Sequence, residues 1–290
     1  MKSVLFIGLG TMGFPMATHI HNKTHHKLYV FNRTETKEKE FISQVGGQSF
    51  RELTRPSEIF DYAIICLKDD DAILDTLETY KVMDYLKKDA VIIDHSTTSL
   101  NLVDRILSNK KFIQKRIGFL DAPVSGGESG AIKGVLTTMV GGNEDNLKIA
   151  TEVIFAYTKS IVHIGKNGHG QIAKMINQIC IAGILQGLAE ALVFGRSQNV
   201  DMQKVIKAIS GGAAQSWQLD NRALTMLSEE FNFGFAIDLM IKDLEIIKQS
   251  QPKDISSLKL TLDVLSKYKD LSRKGMGRLD TSVLIKSLQS

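Results

Sequence analysis

Cysteine is almost missing from this chain. There are two in 290 residues, Cys66 and Cys180, each inside an apolar run. That excludes a disulfide framework and reads as buried thiols in a reducing compartment, so the expected location is the cytoplasm. Charge of one sign is also missing. The net charge is only +4, and basic residues are scattered and mixed with acidic ones, as in Lys37 to Glu40. No basic stripe for nucleic acid results, and the charges read as a solvated surface. Neither H-E-x-x-H nor C-x-x-C occurs, so no metal is expected. Asp69, Asp70 and Asp71 are consecutive at a helix start, where they point in different directions and cannot converge on a hard cation. His19, His21, His25 and His26 fall near the end of the first expected helix and read as exposed. There is no internal repeat and no low-complexity run. The first strand starts at once, so no signal or transit peptide is expected.

What is present is ordinary in amount and specific in order. Apolar residues make up 43% and charged residues 23%, as in a globular protein long enough for two domains. Val4 to Ile7 is an unbroken apolar run. Gly8, Leu9, Gly10, Thr11, Met12 and Gly13 follow it and spell G-x-G-x-x-G. After a strand and before a helix, the first glycine permits the tight turn and the second lets backbone approach a pyrophosphate. The third lets the helix pack close, and the helix N-terminus faces the anion. A second strand, Lys27 to Phe31, ends in Asn32, Arg33 and Thr34. These lie about 20 residues beyond the glycines, where the adenosine ribose is met. A neutral residue followed by arginine favours the 2′-phosphate of NADP over the free hydroxyl of NAD. Alternatively, Thr34 caps the next helix and Arg33 is merely exposed.

Strands then alternate with helices: Tyr62 to Leu67, Ala90 to Asp94, Ile117 to Asp121, Val135 to Val140 and Ile161 to Ile164. This predicts a parallel, doubly wound α/β sheet of the Rossmann kind, with ligands beyond the carboxyl ends of the strands. Leu67, Lys68 and Thr97 fall at such ends and join the glycine loop and Asn32–Thr34 in one cofactor groove. After residue 164 the strand pattern stops. Gly170 to about Arg196 predicts one helix of about 36 Å at 1.5 Å per residue. It is apolar enough to raise a membrane span, but Lys174, Asn177, Gln178, Gln186 and Glu190 argue for a helix buried between domains. Met202 to Leu288 reads as helices only, interrupted at Gly211–Gly212, Asn232 to Gly234, Pro252 and Gly275 to Gly277. The expected domains are 1–164 for the cofactor and an all-helical 165–290 for substrate and oligomerisation.

Two places carry chemistry. Lys174, Asn177 and Gln178 lie at i, i+3 and i+4 and share a helix face. They form either a solvated stripe or the wall of a cleft. In a cleft, a lysine can give a proton to a carbonyl oxygen or take one from a hydroxyl. Ser125, Gly126 and Gly127 form a turn whose N–H groups can cradle a carboxylate. A nucleophilic serine is excluded there, because Pro123 holds the first glycine position of G-x-S-x-G and no partner histidine is evident. Ala214, Trp217, Phe231 and Phe235 read as helical-domain core, with a side-chain pocket as the alternative.

These motifs together resemble the β-hydroxyacid dehydrogenase family, which includes 3-hydroxyisobutyrate dehydrogenase and tartronate semialdehyde reductase. Gly8 to Met16 resembles its cofactor motif. Asp121 to Ala131 resembles its substrate signature D-A-P-V-S-G-G-x-x-G-A, and Gly165 to Gln178 its catalytic signature. Lys242-Asp243-Leu244 resembles its K-D-L motif. The resemblance implies a Rossmann domain followed by a helical domain that builds homodimers or homotetramers. It also implies hydride transfer between NADP, or NAD, and a short 3-hydroxy acid or semialdehyde. Lys174 is implied as general acid/base, Asn177 as the substrate asparagine and Lys242 as a lysine closing over the cofactor. Thr97 would line the nicotinamide end. Gln178 departs from the family's frequent second asparagine. An imine reductase and a non-catalytic NADP-binding protein are the rival readings.

Overall fold

The computed structural model describes residues 1–250 and 258–288, so the break expected at Pro252 lies outside the described residues. Two compact units divide the chain, Met1–Lys174 and Met175–Ser290.

The first unit is built on strands β1 (Ser3–Ile7), β2 (Lys27–Phe31), β3 (Gln48–Ser49), β4 (Phe60–Ile65), β5 (Leu86–Asp94), β6 (Gly118–Asp121), β7 (Val124–Ser125), β8 (Leu136–Gly142) and β9 (Thr158–Gly165). Its helices are α1 (Gly13–Lys23), α2 (Glu35–Gln44), α3 (Asp70–Thr79), α4 (Val82–Tyr85), α5 (Leu100–Leu107), α6 (Lys110–Gln114), α7 (Gly127–Lys133) and α8 (Glu144–Ile154). The strand order is β3-β2-β1-β4-β5-β6-β8-β7, with β9 beside β8. Its first six positions are the doubly wound order of dinucleotide-binding sheets.

Each central strand feeds two cores because side chains alternate across a pleat. From β1, Val4 and Phe6 pack with Met16, Ile20, Tyr62 and Ile64 on one face. Leu5 and Ile7 pack with Tyr29, Phe31, Ala63 and Ile65 on the other. Burial on both faces explains why Val4 to Ile7 reads as an unbroken apolar run. Truncating Phe6, which is fully buried, costs about 3–5 kcal/mol.

Helix starts follow their caps. Asp69 Oδ1 accepts from the Ala72 N–H, and the Ser99 and Asn143 side chains do the same for α5 and α8. Thr34 stands at the cap position of α2, yet its side chain makes no capping bond.

The expected parallel sheet is mixed at one edge. β8 runs antiparallel to both β6 and β7. Only ten residues, Gly126 to Val135, with the short α7 among them, separate β7 from β8, fewer than the dozen or more that a crossover to a parallel pair takes.

Helix α9 (His169–Ser197) begins in the first unit and continues into the second. The second unit adds α10 (Met202–Ile209), α11 (Trp217–Leu227), α12 (Ile237–Ser250) and α13 (Lys259–Leu271), then a 3₁₀ helix at Thr281–Leu288. Among its described residues the only strand-type pairing is the isolated bridge Ala236–Asp280. Its buried set includes Leu185, Leu192, Ala223, Met240, Leu244, Val264 and Tyr268. By length and composition α9 could cross a membrane.

Four expectations about burial need correction. α9 is not buried all round, since Ile176, Ile184 and Phe194 are exposed. Cys180 lies on the same helix and is exposed, while Cys66 is half-buried. Trp217 is exposed and Phe231 buried. Only His25 of the N-terminal histidines is exposed. His19 reaches the carbonyls of Ala131 and Ile132 at the end of α7, because the close contact of α1 and α7 takes it out of solvent.

Candidate active site

The ends of β2, β1, β4 and β5 stand side by side, which brings together Asn32–Thr34, the glycine loop, Leu67–Lys68 and Ser96–Thr97. Within the glycine loop the three glycines have different causes. A Cβ on Gly8 would meet the Cys66 carbonyl oxygen at 2.2 Å, and one on Gly13 would meet the Gly8 carbonyl oxygen at 1.9 Å. Neither position can carry a side chain. A Cβ on Gly10 would meet nothing within 4 Å. The protein leaves that space open above the N-terminus of α1, whose first N–H groups have no partner within the helix. α1 has no acidic residue in its first turn. The loop therefore fits a dinucleotide pyrophosphate.

Asn32 is engaged otherwise than its sequence position suggests. Its Oδ1 accepts from the Leu9 N–H at 2.9 Å, and its Nδ2 donates to the Thr34 carbonyl at 3.0 Å. The amide pins the glycine loop to the end of β2 and leaves Arg33, which is exposed, as the side chain open to a ribose substituent.

On the next strands, the Leu67 N–H donates to Ser96 Oγ at 2.9 Å, and the Ser96 N–H to Asp94 Oδ1 at 2.9 Å. Asp94 is fully buried, and burial pushes its carboxyl up to about 7, with Asp121 and Asp70 adding to the rise. His95 beside it goes the other way, and burial brings it down to about 4. Its Nδ1 lies 2.6 Å from the Ala122 carbonyl, so Nδ1 carries the proton. Nε2 then accepts from the Tyr157 hydroxyl at 2.7 Å.

The second glycine turn follows β7. Gly126 and Gly127 adopt φ of +128° and +59° in succession, a backbone that turns successive N–H groups toward one concavity. Both are exposed, Ser125 is half-buried, and a Cβ on Gly127 would meet nothing within 4 Å. Lys174 reaches this turn. Its Nζ donates to the carbonyl of Val124, the residue before Ser125, at 3.0 Å.

Sequence reasoning gave no role to the residues that aim α9. Asp121 accepts from the N–H groups of Gly168 at 2.8 Å and Gln171 at 3.1 Å. Burial raises its carboxyl, and these bonds oppose the rise. Gln171, fully buried, accepts from the Thr98 N–H at 3.1 Å and donates to the Ser96 carbonyl at 2.8 Å. It thereby ties the first turn of α9 to the loop carrying Thr97. A polar residue one turn before Lys174 in an apolar helix was the available signal.

In the second unit, Asn177 Nδ2 donates to Gln178 Oε1 at 2.9 Å, and Gln178 Nε2 donates to Asp243 Oδ2 at 2.7 Å. Asp243 is buried, and its other oxygen pairs with Lys242 Nζ at 3.0 Å. Lys242 is half-buried. Among the described residues no group of histidine, cysteine and carboxylate side chains could hold a metal.

Residues 3–165 match the family model of the NAD binding domain of 6-phosphogluconate dehydrogenase. Residues 168–288 match that of NAD-binding of NADP-dependent 3-hydroxyisobutyrate dehydrogenase. The chain belongs to the β-hydroxyacid dehydrogenase family. It is therefore an NAD(P)-binding oxidoreductase of that family. Among relatives, an uncharacterized oxidoreductase of Shewanella frigidimarina is 40% identical over 100% of this chain and 99% of its own. The 2-hydroxy-3-oxopropionate reductase of Escherichia coli is 32% identical over 98% of this chain and 96% of its own. A structure of Mycobacterium tuberculosis 3-hydroxyisobutyrate dehydrogenase with L-serine superposes with a TM-score of 0.87 at 25% identity, covering 100% of both chains.

Proposed function

We propose that this member of the family interconverts a short 3-hydroxy acid and its semialdehyde with NADP(H), using Lys174 as general acid/base. The carrying observation is the 3.0 Å bond from Lys174 Nζ to the Val124 carbonyl, which holds the ammonium beside the Ser125-Gly126-Gly127 turn. A carboxylate seated on the N–H groups of that turn puts a hydroxyl or carbonyl two carbons away within the range of one lysine side chain. When bound, the nicotinamide supplies or accepts the hydride. Lys174, protonated, donates a hydrogen bond and then its proton to the carbonyl oxygen during reduction; neutral, it takes the hydroxyl proton during oxidation. Asn177, held by Gln178, orients the substrate, and Gln178 transmits the Asp243 contact to it.

The cofactor is held by Gly8 to Gly13, Asn32 to Thr34, Leu67, Lys68 and Thr97, with Lys242 as the family's K-D-L lysine. Exposed Arg33 after a neutral Asn32 supports NADP over NAD, and reduction is the working direction. Residues 1–164 serve the cofactor and 165–290 the substrate and assembly. The exposed Ile176, Ile184 and Phe194 of α9 support a homodimer or homotetramer. Two unpaired cysteines support the cytoplasm.

The test is a panel of 3-hydroxy acids and semialdehydes (serine, 3-hydroxyisobutyrate, tartronate semialdehyde, succinic semialdehyde) against both cofactors. Turnover of at least one with NADPH is expected. Turnover confined to cyclic imines, or tight NADPH binding with no turnover, overturns the reading.

A further inference from the structure

A buried carboxylate lies directly behind the turn proposed to meet the 2′-phosphate. Glu38, on α2, is 1% exposed. Its Oε2 accepts from the Asn32 backbone N–H at 3.2 Å, and its Oε1 accepts from the Ser49 hydroxyl. A negative charge at that place repels a phosphate dianion, and burial leaves little water to screen it. One cation stands against it. Arg51 Nε donates to Glu38 Oε2 at 3.3 Å. The same guanidinium donates from one terminal nitrogen to the carbonyls of Asn32 at 3.0 Å and Arg33 at 3.3 Å. It lies 4.7 Å from the centre of the Phe31 ring and 5.6 Å from that of Tyr80, which fixes its plane.

We infer that Arg51 is a specificity-determining residue for NADP(H): it neutralises Glu38 behind the Asn32–Arg33 turn, so that a 2′-phosphate meets Arg33 without an uncompensated carboxylate facing it. The inference rests on the NADP reading above. Arg51 acts through Glu38, which makes it a positioning residue. Without it, the uncompensated carboxylate faces the 2′-phosphate of NADPH but only a neutral hydroxyl in NADH. The loss therefore falls on one cofactor.

The experiment measures kcat and KM for NADPH and NADH in the wild type, Arg51→Gln and Glu38→Gln/Arg51→Gln. In Arg51→Gln the KM for NADPH is expected to rise at least about tenfold, that for NADH to change less than about threefold, and kcat at saturation to hold. The double variant, which removes both charges, is expected to recover most of the NADPH preference, and it carries the test alone if the single variant does not fold. Equal losses on both cofactors, no loss on either, or a double variant without the preference overturns the inference. A wild type that prefers NADH overturns the NADP reading itself, whatever Arg51 does.

Discussion

The two glycine turns of the first unit use the same residue with different weights of crowding and backbone conformation. In Gly8 to Gly13 both outer glycines are dictated by crowding, since a Cβ at either would sit about 2 Å from a carbonyl oxygen, and Gly8 also holds a φ of +101°. In Ser125 to Gly127 they are dictated by backbone conformation, with positive φ at Gly126 and Gly127 and open space over Gly127. The first turn is a packing solution with one vacant position, Gly10. The second is open over Gly127. Lys174 bonds to the carbonyl just before the second turn, which under the proposed function separates holding a cofactor from acting on a substrate.

The largest expected effect tests that separation. Lys174→Ala should lower kcat by about 10²–10⁴, the usual worth of a general acid/base, while KM for NADPH stays within a few-fold. Steady-state kinetics decide it, and near-normal turnover would remove the lysine from the chemistry.

Next come the two kinds of position inside the first turn. Gly13→Ala should destabilise by about 3 kcal/mol, because the new methyl meets fixed backbone. Gly10→Ala should change stability by less than about 1 kcal/mol yet raise the KM for the cofactor at least about tenfold, its methyl filling the pyrophosphate approach. Urea unfolding and cofactor titration of both variants check this. Two equally unstable proteins would mean that Gly10 is also a packing residue.

The legible part of the molecule was the part written in local pattern. Apolar runs alternating with helical stretches located the central strands, and the G-x-G-x-x-G context located the first turn. Lys174, Asn177 and Gln178 were singled out because i, i+3 and i+4 fix a shared face. What stayed hidden is fixed by partners distant in sequence. Nothing near Asn32 announces that its amide binds Leu9, and nothing near Glu38 announces Arg51. Gln171 looks like one more polar residue until Ser96 and Thr98 are folded against it. The antiparallel β8 was missed for a related reason: β7 has two residues, too few for a period. Exposed Cys180 sits in apolar sequence, where composition alone argues for burial, and exposed Trp217 reads as core from its residue type.

A milder effect belongs to the second turn. Gly127→Ala meets no atom but must hold φ near +59°, at a cost of about 1 kcal/mol. Its KM for the acid substrate should rise by about tenfold, with cofactor affinity unchanged. A parallel loss of cofactor affinity would show that the two turns are not independent.

The last effect is on pH dependence and not on cofactor or substrate, and it lies at the end of β5, where Asp94 and His95 are buried with opposite consequences. Asp94 titrates near 7 in the fold and near 3.9 unfolded, so between those values folding takes up a proton and stability falls as pH rises. His95 titrates near 4 in the fold and near 6.5 unfolded, so over nearly the same window folding releases a proton and stability rises with pH. The two slopes oppose each other and largely cancel from about pH 4 to 6.5. Asp94→Asn removes one of them. The variant's stability relative to wild type should therefore climb with pH, by at most about 1.4 kcal/mol per unit, and level off above about pH 7. Urea unfolding at several pH values reads this directly. A difference independent of pH would mean that Asp94 ionises as easily in the fold as in the unfolded chain. The strand ends beneath Ser96 would then be wet, and the first turn would owe its binding to geometry without help from a low dielectric.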